Sequence, residues 1–281
     1  MRVERGWLWP AAWGVLAVTA ARVVLLAFNR TDLFVDEAQY WLWGRELAFG
    51  YYSKPPMIGW VIGGVAEWGG GGKVWVRLRA ALCGGGTARK IGAVMLGSVA
   101  ARVVSARAAV WVALAYVTLP MVAVGSLLNS TDTVMFPFLA AALLGYLRVL
   151  DGGGNRAAVL TGAALGLAFL SKYAAVYYLL GAGLAAVVLP SAWPGWRAAA
   201  VVLAAFAVTV SPNVAWNFAN GLTTVQHTLD NADWVRDPGA RAGLNLAGLA
   251  EFLASQFAVV GPAMMAAFLG AVAGWRRASP D

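Results

Sequence analysis

The sequence predicts an all-α integral membrane protein, a polytopic bundle of about eight transmembrane helices. Three observations carry that prediction. Hydrophobic residues make up 60% of the 281, charged residues only 12%, and mean hydropathy is +0.68; a soluble domain carries about 25% charged residues. Apolar runs recur along the whole chain, and about 20 apolar residues suffice for one crossing. The net charge of +8 is dispersed among these runs, so it points to membrane orientation and anionic lipid contacts and not to nucleic acid.

The first element, about 7–28, follows the basic start Met1-Arg2-Val3-Glu4-Arg5. Its apolar run exceeds the roughly 7–15 residues of a signal-peptide core. It is read as an uncleaved first helix with its N-terminus in the cytoplasm, and Arg22 near its outer end can snorkel to the headgroups. Further spans are expected at about 75–99, 108–126, 133–149, 157–171, 173–189, 198–212 and 250–273. In the second of these eight, Arg89-Lys90 interrupts the apolar run: either the pair faces a cavity or the boundary lies elsewhere. The stretch 157–189 is long for one crossing and short for two. Two short helices meeting at Lys172 let that cation reach water, whereas a mid-bilayer lysine costs about 2.5–3.5 kcal/mol. Gly162 and Gly166 have the small-xxx-small spacing of closely packed helices.

With the N-terminus inside, the two long polar stretches, 29–74 and 213–248, fall on the outer face. The inner connections then hold Arg102, Arg107, Arg148, Arg156, Arg197, Arg276 and Arg277. The outer ones hold most of the acids: Asp32, Asp36, Glu37, Glu46, Glu67, Asp132, Asp230, Asp233 and Asp237. That asymmetry follows the positive-inside rule. Arg30, Lys54, Lys73, Lys172, Arg236 and Arg241 depart from it and require another explanation. The single cysteine, Cys83, excludes an intrachain disulfide and a cysteine-based metal cluster. The Gly69–Gly72 run reads as a flexible connection.

The first outer loop carries the densest chemistry. Asp36 and Glu37 open what reads as a short interfacial helix, where carboxylates suit the positive end of the helix dipole. Tyr40, Trp41 and Trp43 follow as interfacial anchors. Next, Gly50-Tyr51-Tyr52-Ser53-Lys54-Pro55-Pro56 places a cation in a rigid Pro-Pro turn, where a lysine can hold a lipid phosphate as a point charge. Asp132, in Asn129-Ser130-Thr131-Asp132, sits at the outer mouth of the fourth span, with an N-cap role as its plain alternative. Lys172 reaches the same face. Two carboxylate centres and two lysines from distant segments thus gather at one membrane surface.

Together these segments resemble the bacterial family 39 glycosyltransferases, relatives of protein O-mannosyltransferases and lipid A aminoarabinose transferases within the GT-C superfamily. The resemblance runs from Asp36-Glu37 through Tyr40-Trp41-Leu42-Trp43 to Lys54-Pro55-Pro56. It continues in Ser130-Thr131-Asp132, Leu170-Ser171-Lys172-Tyr173, Ser211-Pro212-Asn213-Val214-Ala215-Trp216-Asn217 and Gly221–Thr228. It implies one GT-C-like module over 1–281, with 29–74 as the first outer catalytic loop and 213–248 as an outer loop near the active site. Members are expected to carry further spans beyond the last one here.

The resemblance also implies inverting transfer from a polyprenyl-phosphate sugar to a lipid, glycan or protein acceptor, at the outer face of the bacterial inner membrane. Asp36 matches the position of a general base; Glu37 and Asp132 would orient the acceptor or stabilise the cationic sugar; Lys54 and Lys172 would hold the donor phosphate. Tyr40, Tyr52, Asn217 and His227 are candidate substrate contacts. A divalent cation is a candidate cofactor, with His227 and Glu37 as its weak candidate ligands, because one histidine and scattered carboxylates make a poor metal signature. The competing reading is a catalytically inactive or partner-dependent polyprenyl-phosphate-binding membrane protein. A transporter ranks last, because the charges gather at one face and not at the bilayer midplane.

Overall fold

The computed structural model describes residues 5–28, 35–64, 85–124, 130–234 and 246–278. The Gly69–Gly72 run, Lys73, Cys83, Arg236, Asp237 and Arg241 lie outside them, as do Arg30, Asp32 and Glu67. Every regular element among the described residues is helical. After a 3-10 turn at Arg5–Trp7 come α1 (Leu8–Ala27), α2 (Val35–Trp43) and α3 (Met57–Gly63). Next are α4 (Gly85–Val103), α5 (Ala106–Thr118), α6 (Pro120–Val124), α7 (Thr131–Leu150) and α8 (Gly154–Ser171). The last group is α9 (Val176–Val188), α10 (Trp196–Ala219), α11 (Thr223–Trp234), α12 (Leu246–Val260) and α13 (Pro262–Ala278).

Among the described residues three helices, α1, α7 and α10, are each long and apolar enough to cross a bilayer, and the bent pair α12–α13 could make a fourth. The eight expected segments therefore differ in kind. In α4 the described helix begins at Gly85 and carries Arg89, Lys90 and Arg102. The helix expected at 108–126 stops at Thr118, because Pro120 starts a separate short helix. Thirteen residues in α5 or α9 rise only about 20 Å, against a hydrocarbon core of about 30 Å.

The stretch 157–189 is two helices, and the break falls at Lys172, whose backbone is extended (φ −158°, ψ 129°) before a 3-10 turn at Tyr173–Ala175. The single helix expected at 250–273 is instead broken at Gly261 (φ +86°) and bent by 110°. Pro262 has no N–H with which to continue the ladder, and only glycine adopts the left-handed backbone before it readily. Likewise the polar stretch expected from 213 onward is largely helical, because α10 runs through Pro212 to Ala219. Proline removes the N–H that the Val208 carbonyl would have received, and the Ser211 hydroxyl donates to that carbonyl at 2.8 Å instead.

The packing order runs α1, α5, α4, α7, α8, α10. Gly162 and Gly166 on α8 face α10, and a β-carbon on Gly166 would lie 2.6 Å from the Thr209 side chain. One apolar cluster joins α1, α4 and α5 through Trp7, Ala11, Ala93, Ala109 and Val117. A second lies under α2 and α3 and ties Tyr40, Met57, Ile58 and Ile62 to Val134, Leu170 and Val210. At the opposite end of the bundle, Arg102 pairs with Asp151 and donates to the Leu147 carbonyl at 3.1 Å.

Candidate active site

The start of α7, the break after α8, the second half of α10 and the loop through α2 and α3 meet at one end of the bundle. Ser130 caps α7 by accepting from the Asp132 N–H at 3.3 Å. The side chain of Asp132 is thereby left to reach across to Lys172. The Lys172 ammonium donates to both Asp132 oxygens, at 2.8 and 2.9 Å. An ammonium has three donors, so this pair occupies two. The helix break is what frees Lys172 to do so.

Asp36 is exposed in the first turn of α2, and the Tyr40 hydroxyl donates to its Oδ2 at 3.4 Å. Tyr40 is buried one turn further on, as i, i+4 spacing requires. Burial, followed by the charges of Asp36 and Asp132, pushes the Tyr40 hydroxyl well above the ordinary phenol range. It therefore stays a proton donor to the carboxylate at any physiological pH. Glu37 points the other way: it is only 1% exposed, inside the protein, where it has partners of its own.

Lys54 is half-buried in a turn whose ends are fixed from several sides. The Tyr51 N–H donates to the Lys54 carbonyl at 3.2 Å. The buried Thr224 hydroxyl donates to the Tyr51 carbonyl at 2.5 Å, and Asn213 Nδ2 donates to the Phe49 carbonyl at 2.7 Å. Trp216 packs so closely on Gly50 that no side chain fits there. Stacking of Trp43 on Tyr51, with centroids 4.6 Å apart, ties the turn back to α2. Tyr52 is exposed and its ring lies 4.9 Å from that of His227 on α11.

Asn217 is buried, donating to the Asn213 carbonyl at 3.0 Å and the Tyr173 hydroxyl at 3.3 Å. The Tyr173 hydroxyl in turn donates to Asn213 Oδ1 at 3.0 Å. Among the predicted residues, then, Asp36, Tyr40, Asp132 and Lys172 form one cluster, Lys54, Tyr52 and His227 form its flank, and Glu37 and Asn217 are inside. Tyr51, Asn213, Tyr173 and Thr224 hold the flank in place and were not singled out from the sequence. All four do fall inside the family-like runs. Among the described residues no group of three or more His, Cys, Asp or Glu side chains is placed to hold a metal ion.

The family described as dolichyl-phosphate-mannose-protein mannosyltransferase matches residues 53–216. The chain belongs to this family. The match to the mannosyltransferase family takes in Lys54, Asp132, Lys172 and Asn213, and stops short of Thr224 and His227. A curated relative, the lipid A galacturonosyltransferase RgtD of Rhizobium johnstonii, is 41% identical over 259 residues, 92% of this chain and 53% of its own length. The chain thus spans about half the length of the curated relative it matches. No solved structure matches.

Proposed function

We propose that the chain transfers a sugar from a polyprenyl-phosphate donor to a lipid acceptor of the lipid A type, at the outer face of the bacterial inner membrane. The name of its relative suggests galacturonic acid as the sugar. The observation that carries the reading is the convergence of an exposed carboxylate, Asp36, braced by Tyr40, with the Asp132–Lys172 pair at one end of an apolar bundle. The proposed topology has eight crossings and a cytoplasmic N-terminus, which puts that end outside and Arg102, Arg107, Arg148 and Arg156 inside.

In the proposed step the acceptor hydroxyl gives its proton to Asp36, and its oxygen attacks the anomeric carbon. The bond from that carbon to the phosphate oxygen breaks, and polyprenyl phosphate leaves with the electron pair. One displacement inverts the anomeric configuration without a covalent enzyme intermediate. Asp36 suits the base because it is accessible; the Tyr40 hydrogen bond holds one oxygen and leaves the other for the acceptor. Lys54 supplies the cation for the departing phosphate, since its turn is rigid. The remaining donor of Lys172 can add a contact, while Asp132 keeps that cation aimed. Glu37 and Asn217 act from within, as supports of α2 and α10.

The test is transfer of labelled sugar from a panel of polyprenyl-phosphate sugars in membranes, comparing wild type with Asp36→Asn. Loss of a general base lowers turnover by about 10²–10⁴-fold, with expression and membrane insertion unchanged. Undiminished turnover in Asp36→Asn would sink the assignment of the base. Absence of transfer by wild type from every donor offered would sink the donor class.

A further inference from the structure

Away from the candidate site, α1 and α4, which pack with α5, carry a second group of cations. Arg22 lies on α1, five residues before its end. Arg89 and Lys90 lie in the second turn of α4. None of these three helices has a single Asp or Glu. Arg89 is 97% buried, being 3% exposed, and is engaged within the chain. Tyr116, beside the Val117 whose carbonyl accepts from Arg22, brings a hydroxyl to the same place. That hydroxyl is itself buried, rests over Gly92 one turn from Arg89, and has no hydrogen-bond partner among the described residues.

Capping of α5 accounts for part of this. The Arg22 guanidinium donates to the carbonyl of Val117 in the last turn of α5, a group left open at any helix end. A guanidinium has five donors, however, and a neutral carbonyl cancels no charge. Charged side chains at membrane depth pair with one another or with backbone carbonyls, as Arg22 does here, and they mark functional pathways. Two arginines and a lysine on two carboxylate-free helices, with a buried hydroxyl of α5 beside them, match what a phosphate brings: negative charge and several acceptor oxygens. An apolar cleft of about 180 Å³ between α1 and α4, lined by Leu8, Ala11, Val15, Lys90 and Ala93, offers room for an attached acyl chain.

We infer that Arg22, supported by Arg89 and the Tyr116 hydroxyl, forms a second anion site within the membrane that takes the phosphate of an anionic lipid. Tyr116 packs on Phe136, one turn along α7 from Asp132, so the site adjoins the catalytic end without sharing its lysines. The phosphate can come from the acceptor lipid or from a bilayer phospholipid; the chemistry recognised is the same. Only the first source rests on the transferase reading.

The test is native mass spectrometry of the full chain, purified in neutral detergent and offered dioleoyl phosphatidate or dioleoylglycerol, which share tails and differ in the phosphate. Wild type is expected to retain phosphatidate over diacylglycerol. Arg22→Gln is expected to lower phosphatidate retention about tenfold and Arg22→Lys less, with diacylglycerol unchanged throughout. Equal retention of the two lipids by wild type, or undiminished phosphatidate retention in a folded Arg22→Gln, overturns the inference. Arg89→Lys, which keeps the charge and shortens the reach, provides the second test of the same site. In turnover assays, a raised acceptor KM with unchanged donor KM in Arg22→Gln names the acceptor as the source, and unchanged values for both name bilayer phospholipid. The binding arm needs no turnover, so a failure of the transferase reading leaves it standing.

Discussion

Replacing one partner of the Asp132–Lys172 pair is expected to uncouple the two halves of the site. Both carboxylate oxygens accept from the same ammonium, at 2.8 and 2.9 Å, and the side chains are 23% and 38% exposed. An exposed pair contributes about 0–1 kcal/mol, while breaking a buried one costs about 3–5 kcal/mol. With partial exposure on both sides, the geometry places the coupling between these limits, at about 1–2 kcal/mol. Lys172→Met, Asp132→Asn and the double variant form a cycle, read by reversible unfolding in mixed micelles. Each single change leaves the other charge half-buried, so the double variant is expected to lose less than the sum. Additive losses, with coupling below about 0.3–0.5 kcal/mol, would refute the view that the pair holds the end of α8 against the start of α7.

Four further outcomes are expected. The Tyr40 hydroxyl ionises well above its ordinary range in the folded state, so its contribution to stability is fully present below about pH 10 and is lost as pH rises beyond it. The fall in stability above that pH should therefore be shallower in Tyr40→Phe than in wild type; identical profiles would contradict the burial argument. Gly162→Ala drives a β-carbon into the Val202 carbonyl and 2.8 Å from Ala205 Cβ, and is expected to destabilise by about 1–3 kcal/mol. Gly181→Ala meets open space in α9 and is expected to stabilise by about 0.5–1 kcal/mol. Thr224→Val leaves the buried Tyr51 carbonyl without its donor, with an expected loss of about 1–3 kcal/mol measured by thermal unfolding.

Features set by local chemistry were legible in the sequence. The short helix at Asp36 and the break at Lys172 each follow from a few neighbouring residues; the N-cap role offered for Asp132 is taken instead by Ser130, two residues earlier. The close packing of Gly162 and Gly166 followed from spacing alone. What the sequence hid was direction and pairing. Asp36 and Glu37 are adjacent, yet the 100° step of a helix sends one outward and one inside. Lys172 reads as an available cation until the fold brings Asp132 against it from 40 residues away. Asn217 lies in a family-like run that suggested substrate contact, but its position on the inner face of α10 makes it a tie between Tyr173 and Asn213. The Gly261-Pro262 pair is a recognisable breaker, overlooked because hydropathy alone favoured one span. Pro212 misleads in the opposite sense, since a neighbouring serine repairs the ladder.

The way the Lys54 turn is held has a consequence for the order in which the chain assembles. Phe49 and Tyr51 are hydrogen-bonded by Asn213 and Thr224, partners 164 and 173 residues further along. During synthesis, chain between roughly 50 and 210 emerges while that turn still lacks its seat. The turn therefore closes only when α10 and the start of α11 have been made. Contacts of such separation form slowly, because loop closure precedes any gain from the contact. A ribosome-bound chain ending before Thr224 is thus expected to present the segment around Lys54 to protease, and one carrying α11 to protect it. The seat of Lys54 is thus completed late and in one step, when the last of its supports has been made.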